Sequence, residues 1–181
     1  ARQLDNNRAV ILTKRHVGYG ASDGAFIQDP NRAAALYLPG VSYLSTNNFT
    51  DVGGFLGTSG LHRVLNEAHP DNMGGPVNID PLMMRLSDLG GAQLNEWTPG
   101  MPGAVGLNNL GLLVKVFGTV TASTPTYFML SDGTREVQVR SNANPGSGHV
   151  FVTGISSWTT HNGQTIPLII TRFPADVKGP F

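Results

Sequence analysis

None of the 181 residues is a cysteine. That excludes disulfides, a thiol nucleophile and zinc–thiolate sites. Charge is scarce as well: Asp, Glu, Lys and Arg make up 13% of the chain, against roughly 25% in an average globular protein. The 12 basic and 12 acidic side chains cancel to a formal net charge of zero. Scattered, balanced basic residues lack the electrostatic footprint that phosphate-backbone binding draws on. No apolar run approaches the roughly 18 residues of a membrane-spanning helix, so no membrane span is expected.

Reactive constellations are missing too. His16, His62, His69, His149 and His161 contain no pair at the i, i+4 spacing of a metalloprotease helix. Ser22, Ser59 and Ser131 sit in no G-x-S-x-G elbow. The pairs Gly53-Gly54, Gly74-Gly75 and Gly90-Gly91 open no long helix that would cradle a phosphate. Glu67, His69 and Asp71 lie close together, but alternating residues beside Pro70 read as a polar loop. The expectation is a chain with no catalytic residues, no metal and no cofactor, hence not an enzyme.

What is present is turn-rich and apolar: 23 glycines, 12 prolines and 40% hydrophobic residues. The clearest stretch is Leu110–Arg172. Leu112, Val114, Val116 and Val120 alternate with Leu113, Lys115, Phe117, Thr119 and Thr121, the period of two that assigns one set to each sheet face. Gly118 interrupts the run where a long strand bends. Tyr127–Leu130 is a second strand, Ser131-Asp132-Gly133-Thr134 a turn, and Glu136–Arg140 a third strand. His149–Gly154 and Thr165–Arg172 follow, joined by the polar loop Ser156–Gly163 with its Asn162-Gly163 hairpin signal. The pattern predicts that Val114, Val116, Val120, Phe128, Leu130, Val139, Val152, Ile166, Leu168 and Ile170 are mostly buried.

The run Gly111–Thr121, then Tyr127–Thr134, then His149–Ile155 resembles the OB-fold modules found in tandem in secreted bacterial proteins. The resemblance implies a small closed barrel and no particular reaction. An earlier third repeats it more loosely. Ala9–Gly18, Ala25–Gln28, Ala33–Leu38, Val52–Gly57 and Leu61–Glu67 parallel the later strands, with Val77–Ile79 completing the barrel. The expected chain is therefore all-β: two tandem OB-like five-stranded barrels joined by a Gly/Pro-rich strap with at most one short helix. The divisions are an N-terminal extension 1–8, a first barrel 9–86, a strap 87–109, a second barrel 110–174 and a C-terminal extension 175–181. The one helix is expected in Pro81–Leu89, where Leu82, Leu86 and Leu89 share a side and Gly90 stops it.

The chain opens on Ala1 without a Met, which reads as a mature chain after loss of a signal peptide, hence secreted or at the cell surface. Asn48-Phe49-Thr50 is a glycosylation sequon. Two barrels of low charge density and no net charge suit a structural subunit that assembles with itself into an extracellular filament or surface layer. The self-association candidates are Leu4 in the N-terminal extension, Trp97, Met101, Val105 and Leu107 in the strap, and Val177 and Phe181 in the C-terminal extension. The strap residues have a second reading, as cover packed over their own barrels. The terminal segments have one too, docked on their own chain. One alternative function is a cell-surface carbohydrate- or ligand-binding module, with Tyr127, Arg135, Arg140 and Trp158 as contacts. Another is single-stranded nucleic-acid binding, which the charge disfavours.

Overall fold

The computed structural model describes residues Ala1–Phe181. Its regular elements are strands and two single 3₁₀ turns, Leu86–Asp88 and Pro174–Asp176. The chain divides into two units. Unit 1 comprises Ala1–Asp80, Gln93–Pro99 and Asn109–Leu112; unit 2 comprises Pro81–Ala92, Gly100–Asn108 and Leu113–Phe181.

Unit 1 holds β1 (Ala9–Ala21), β2 (Gly24–Gln28), β3 (Ala35–Pro39), β4 (Asn48–Ser59) and β5 (His62–Pro76). They form a closed barrel in the order β1-β2-β3-β5-β4. β1 pairs antiparallel with β4 to close the ring, and β3 meets β5 in parallel at Tyr37 and Val64. Val17, Ile27, Leu36, Leu38, Val52, Leu56 and Leu65 fill the interior. β1 curves around it with register shifts between Leu12 and Arg15 and between Val17 and Tyr19. Bulges of this kind are how a long strand bends to close a small barrel.

Two expectations fail in this unit. β5 does not stop at Glu67: it pairs with β4 out to Asn48 opposite Pro76, so Glu67, His69 and Asp71 lie on a strand and not in a loop. Register shifts in β4–β5, and the positive φ of 48° at Glu67, absorb residues that look like loop in the sequence. Val77–Ile79 forms no strand, because β5 has already completed the ring.

The N-terminal segment docks on its own unit. The Asn7 amide donates to Leu56 O at 2.7 Å. The buried Arg63 guanidinium donates to Gly57 O at 3.1 Å, to Asp5 O at 3.2 Å, and to Leu4 O and Asn6 Oδ1. Arg2 is buried; it donates to Leu110 O at 3.2 Å, while its own carbonyl accepts from Asn95 Nδ2 and Thr98 Oγ1.

Unit 2 holds β6 (Leu82–Met83), β7 (Leu113–Ser123), β8 (Tyr127–Ser131), β9 (Glu136–Arg140), β10 (Gly148–His161), β11 (Gln164–Ile170) and β12 (Val177–Lys178). The sheet order is β12-β10-β11-β9-β8-β7-β6, with an additional β10–β7 pairing. Successive pairings repeat those of unit 1, including a parallel contact between the third and fifth strands (β9 with β11) and an antiparallel one between first and fourth (β7 with β10). The predicted interior is buried at Val114, Val116, Val120, Phe128, Leu130, Val139, Val152, Leu168 and Ile170, while Ile166 is half-buried.

Asn162 and Gly163, both at positive φ, turn β10 into β11 between His161 and Gln164. The Asp132 carboxylate accepts from the Thr134 and Arg135 amides at 3.0 and 3.2 Å, as a turn-forming Asp should.

Three details of unit 2 differ from expectation, and a fourth decides between alternatives left open. Pro81–Leu89 is not a helix: Leu82 and Met83 pair in parallel with β7, and only Leu86–Asp88 makes a 3₁₀ turn. Nine residues are too few to nucleate a helix alone, and Lys115 O and Asp132 Oδ2 take the Met84 and Leu86 amides. Ser156–His161 is strand, not loop. The bulge in β7 lies between Val120 and Ala122, past Gly118. Gly118 is needed for closeness, since a Cβ there would stand 2.8 Å from Ser131 O. Lastly, the C-terminal segment docks on its own unit: Val177 and Lys178 pair with Val152 and Phe151, and the Phe181 amide donates to His149 O at 3.0 Å. Asp176 holds that return by accepting from the Arg172 and Phe173 amides and from the Arg172 guanidinium.

Candidate interaction surface

The strand period that sends Val114, Val116, Val150 and Val152 inward sends another set outward. On β7 these are Lys115, Phe117 and Thr119; on β10, opposite them in register, are Thr153, Phe151 and His149. Lys178 of β12 stands beside Phe151, and Met83 of β6 beside Lys115. The result is a row of rings on the outer face of unit 2. Phe117 and Phe151 have centroids 4.8 Å apart, Phe117 stacks on His149 at 5.7 Å, and Phe181 meets Phe151 edge-on at 6.0 Å. Lys115 Nζ sits 4.8 Å from the Phe151 centroid, and His149 Nδ1 is 3.0 Å from Thr119 Oγ1. Phe117 is 45% exposed, Met83 65% and Phe181 73%.

The matching face of unit 1, on β1, β4 and β5, is hollow instead. Ala9, Val10, Ile11, Gly53, Gly54, Phe55, Glu67 and His69 line an open, mostly apolar groove of about 520 Å³. Ile11 is 83% exposed and Phe55 44%. Gly54 is forced by packing, because a Cβ would come within 2.7 Å of Asn66 O. Gly53 is not forced: a Cβ there would meet nothing closer than Val10 O at 3.8 Å, and its φ is not positive. Its missing side chain keeps the groove open. Asp51 and Asp71 pair opposite one another further along β4 and β5. The Asn72 side-chain amide, with the Lys14 backbone amide, holds the exposed Asp51 carboxyl below its usual range.

The residues singled out from sequence fall in several places. Of the strap, Met101 is buried beside Gly90 and offers no surface. Trp97 is half-buried, with its carbonyl accepting from Thr58 Oγ1 at 2.7 Å. Val105 and Leu107 are exposed. Leu4 is 40% exposed while its carbonyl accepts from Arg63. Val177 is half-buried in the β10–β12 pair, and Phe181 joins the row of rings.

Among the ligand candidates, Tyr127 lies opposite Arg140 on β8 and β9, and Arg140 is exposed. Trp158 is half-buried on β10 opposite Pro167, on a strand and not on a polar loop. Arg135 is occupied within unit 2, donating to Pro102 O at 2.9 Å and to Ser87 O at 3.4 Å. Burial lowers its pKa. No group of three or more His, Cys, Asp or Glu is gathered to hold a metal ion.

Phe151, His149 and Met83 were not singled out. A signal for them exists in the alternation: Phe117 and Phe151 occupy the polar side of amphipathic strands, where rings have no core to join. Comparison with protein-family profiles, curated proteins and solved structures finds no match.

Proposed function

We propose that this chain is a non-catalytic structural protein, secreted, that associates with itself as a subunit of an extracellular filament or surface layer. Each unit is read as an OB-like barrel, supported by the shared 1-2-3-5-4 strand order. The observation that carries the functional reading is the row on the outer face of unit 2, in which Met83, Phe117 and Phe181 are exposed and Phe151 is half-buried between the rings. Clustered apolar side chains on a sheet face mark a surface that another molecule covers. The low charge density of the chain, 13%, leaves little repulsion between copies.

Both terminal segments dock on their own units, so the contacts between copies fall on the sheet faces, and Phe181 belongs to one of these faces. Sedimentation velocity of the full chain over a rising concentration series, with negative-stain microscopy of the largest species, tests the reading. Large species growing with concentration are expected. A chain that stays monomeric at millimolar concentration overturns it.

A further inference from the structure

The row of rings on unit 2 and the groove on unit 1 are both largely apolar, and the charges beside them are of opposite sign. The row presents Phe117 and Phe181 with the half-buried Phe151 between them, Lys115 lying over the Phe151 ring and Lys178 on the neighbouring strand beside it. The groove is floored by Gly53 and Gly54, walled by Ile11 and Phe55, and edged by Glu67, with Asp51 and Asp71 beyond. Neither Lys115, Lys178 nor Glu67 has an ion-pair partner inside the chain; the salt bridges are Arg15–Asp29 and Arg172–Asp176. Gly53 adds an independent point, since neither its backbone nor its surroundings require a glycine.

We propose that the ring platform of unit 2 in one copy of this chain seats in the Gly53 groove of unit 1 in a second copy, with Lys115 and Lys178 facing Glu67 and the acidic pair. This rests on the self-association reading and names its contact. The contact is heterologous: each copy offers one platform and one groove. Such contacts run on into an open polymer unless the rotation between copies happens to close a ring. Burial of rings supplies the attraction, and the lysine–carboxylate pairing sets which face meets which. Commitment to a second copy follows from the charges, because the same neutral chain carries Glu67, Asp51 and Asp71, which outnumber the Lys14 near Asp51, on one face and Lys115 and Lys178 on the other.

The test uses the full chain and four variants, each checked by circular dichroism and thermal melting for a parent-like fold. Gly53→Trp fills the groove, and Phe117→Ser flattens the platform. Both are expected to raise the concentration at which assembly begins by tenfold or more. Glu67→Lys alone is expected to do the same, and adding Lys115→Glu in the same chain is expected to recover most of the loss. Recovery by the double reversal is a result that a merely structural role for either residue does not produce.

The outcomes separate. If the parent does not assemble, the self-association reading fails and this contact with it. If the parent assembles and the four variants assemble equally well, the reading stands and this contact is overturned. If Gly53→Trp and Phe117→Ser leave assembly intact but abolish retention of the chain on insoluble polysaccharide, the two faces hold glycan and the contact is likewise overturned.

Discussion

Phe26 and His62 pack edge to face, their ring centroids 5.2 Å apart at 68°, with the Tyr37 ring 6.0 Å from the same imidazole. Burial among these rings lowers the His62 pKa from 6.5 to about 4. The fold thus favours the neutral ring. Between about pH 4 and 6.5 the unfolded chain binds the extra proton, so stability declines as pH falls through that window. The slope from this one group reaches at most about 1.4 kcal/mol per pH unit. Urea melts from pH 7 to pH 4 should show that loss in the parent, and it should be largely absent in His62→Leu. Identical pH profiles for the two chains would show that His62 is not the group responsible.

The neighbouring glycines of β4 should respond differently. Gly54→Ala brings a Cβ against Asn66 O and Leu65 Cγ, within 2.8 Å of both, and is expected to cost roughly 1–3 kcal/mol. Gly53→Ala meets only ordinary contacts and should change stability by less than about 0.5 kcal/mol. Thermal melts of the two single variants check this, and equal destabilisation would contradict the open space over Gly53.

Asp176 is expected to be the residue on which the C-terminal return depends. Its carboxylate, nearly buried, pairs with the Arg172 guanidinium at 3.0 Å and takes two backbone amides. Asp176→Ala leaves the Arg172 charge short of its partner and should cost about 3 kcal/mol or more. Hydrogen exchange should show the Lys178 and Phe181 amides opening first. Unchanged protection at those amides would mean that the strand pairing with β10 holds the segment by itself.

Single-stranded DNA should bind weakly despite the rings. Only Lys115 and Lys178 flank the platform, so about two phosphates can be neutralised, which gives a shallow salt slope of roughly −1.4. Filter binding at moderate salt is expected to show little retention. Tight, steeply salt-dependent retention would point to a basic track elsewhere on the surface.

Much of the fold was legible because it rests on local rules. Val114, Val116 and Val120 declared a face by alternation, and Asn162-Gly163 and Asp132-Gly133 declared their turns by backbone chemistry. What escaped reading depended on distant partners. Gly74, Gly75 and Pro76 look like loop, and only the length of β4 turns them into strand. Leu82, Leu86 and Leu89 have helical spacing, but β7 and Asp132 claim the backbone around them. Arg2 and Arg63 look like ordinary surface cations until their carbonyl partners are seen. For the candidate surface, the outward residues could be assigned to a face, yet Phe117 meets Phe151 only once the β7–β10 register is known.

The division of the strap between the two units bears on how such a protein can be inherited. A module that begins and ends at single points in its gene can be copied, lost or exchanged by recombination at a linker. Here unit 1 reclaims Gln93–Pro99 and Asn109–Leu112 after unit 2 has begun at Pro81. No single breakpoint between Pro81 and Leu112 yields two whole units. After a cut at residue 80, unit 1 lacks the Asn95 and Thr98 side chains that hold Arg2 O. After a cut at residue 112, unit 2 lacks β6 and the Leu86–Asp88 turn. A cut at either point therefore leaves one unit without segments that it uses.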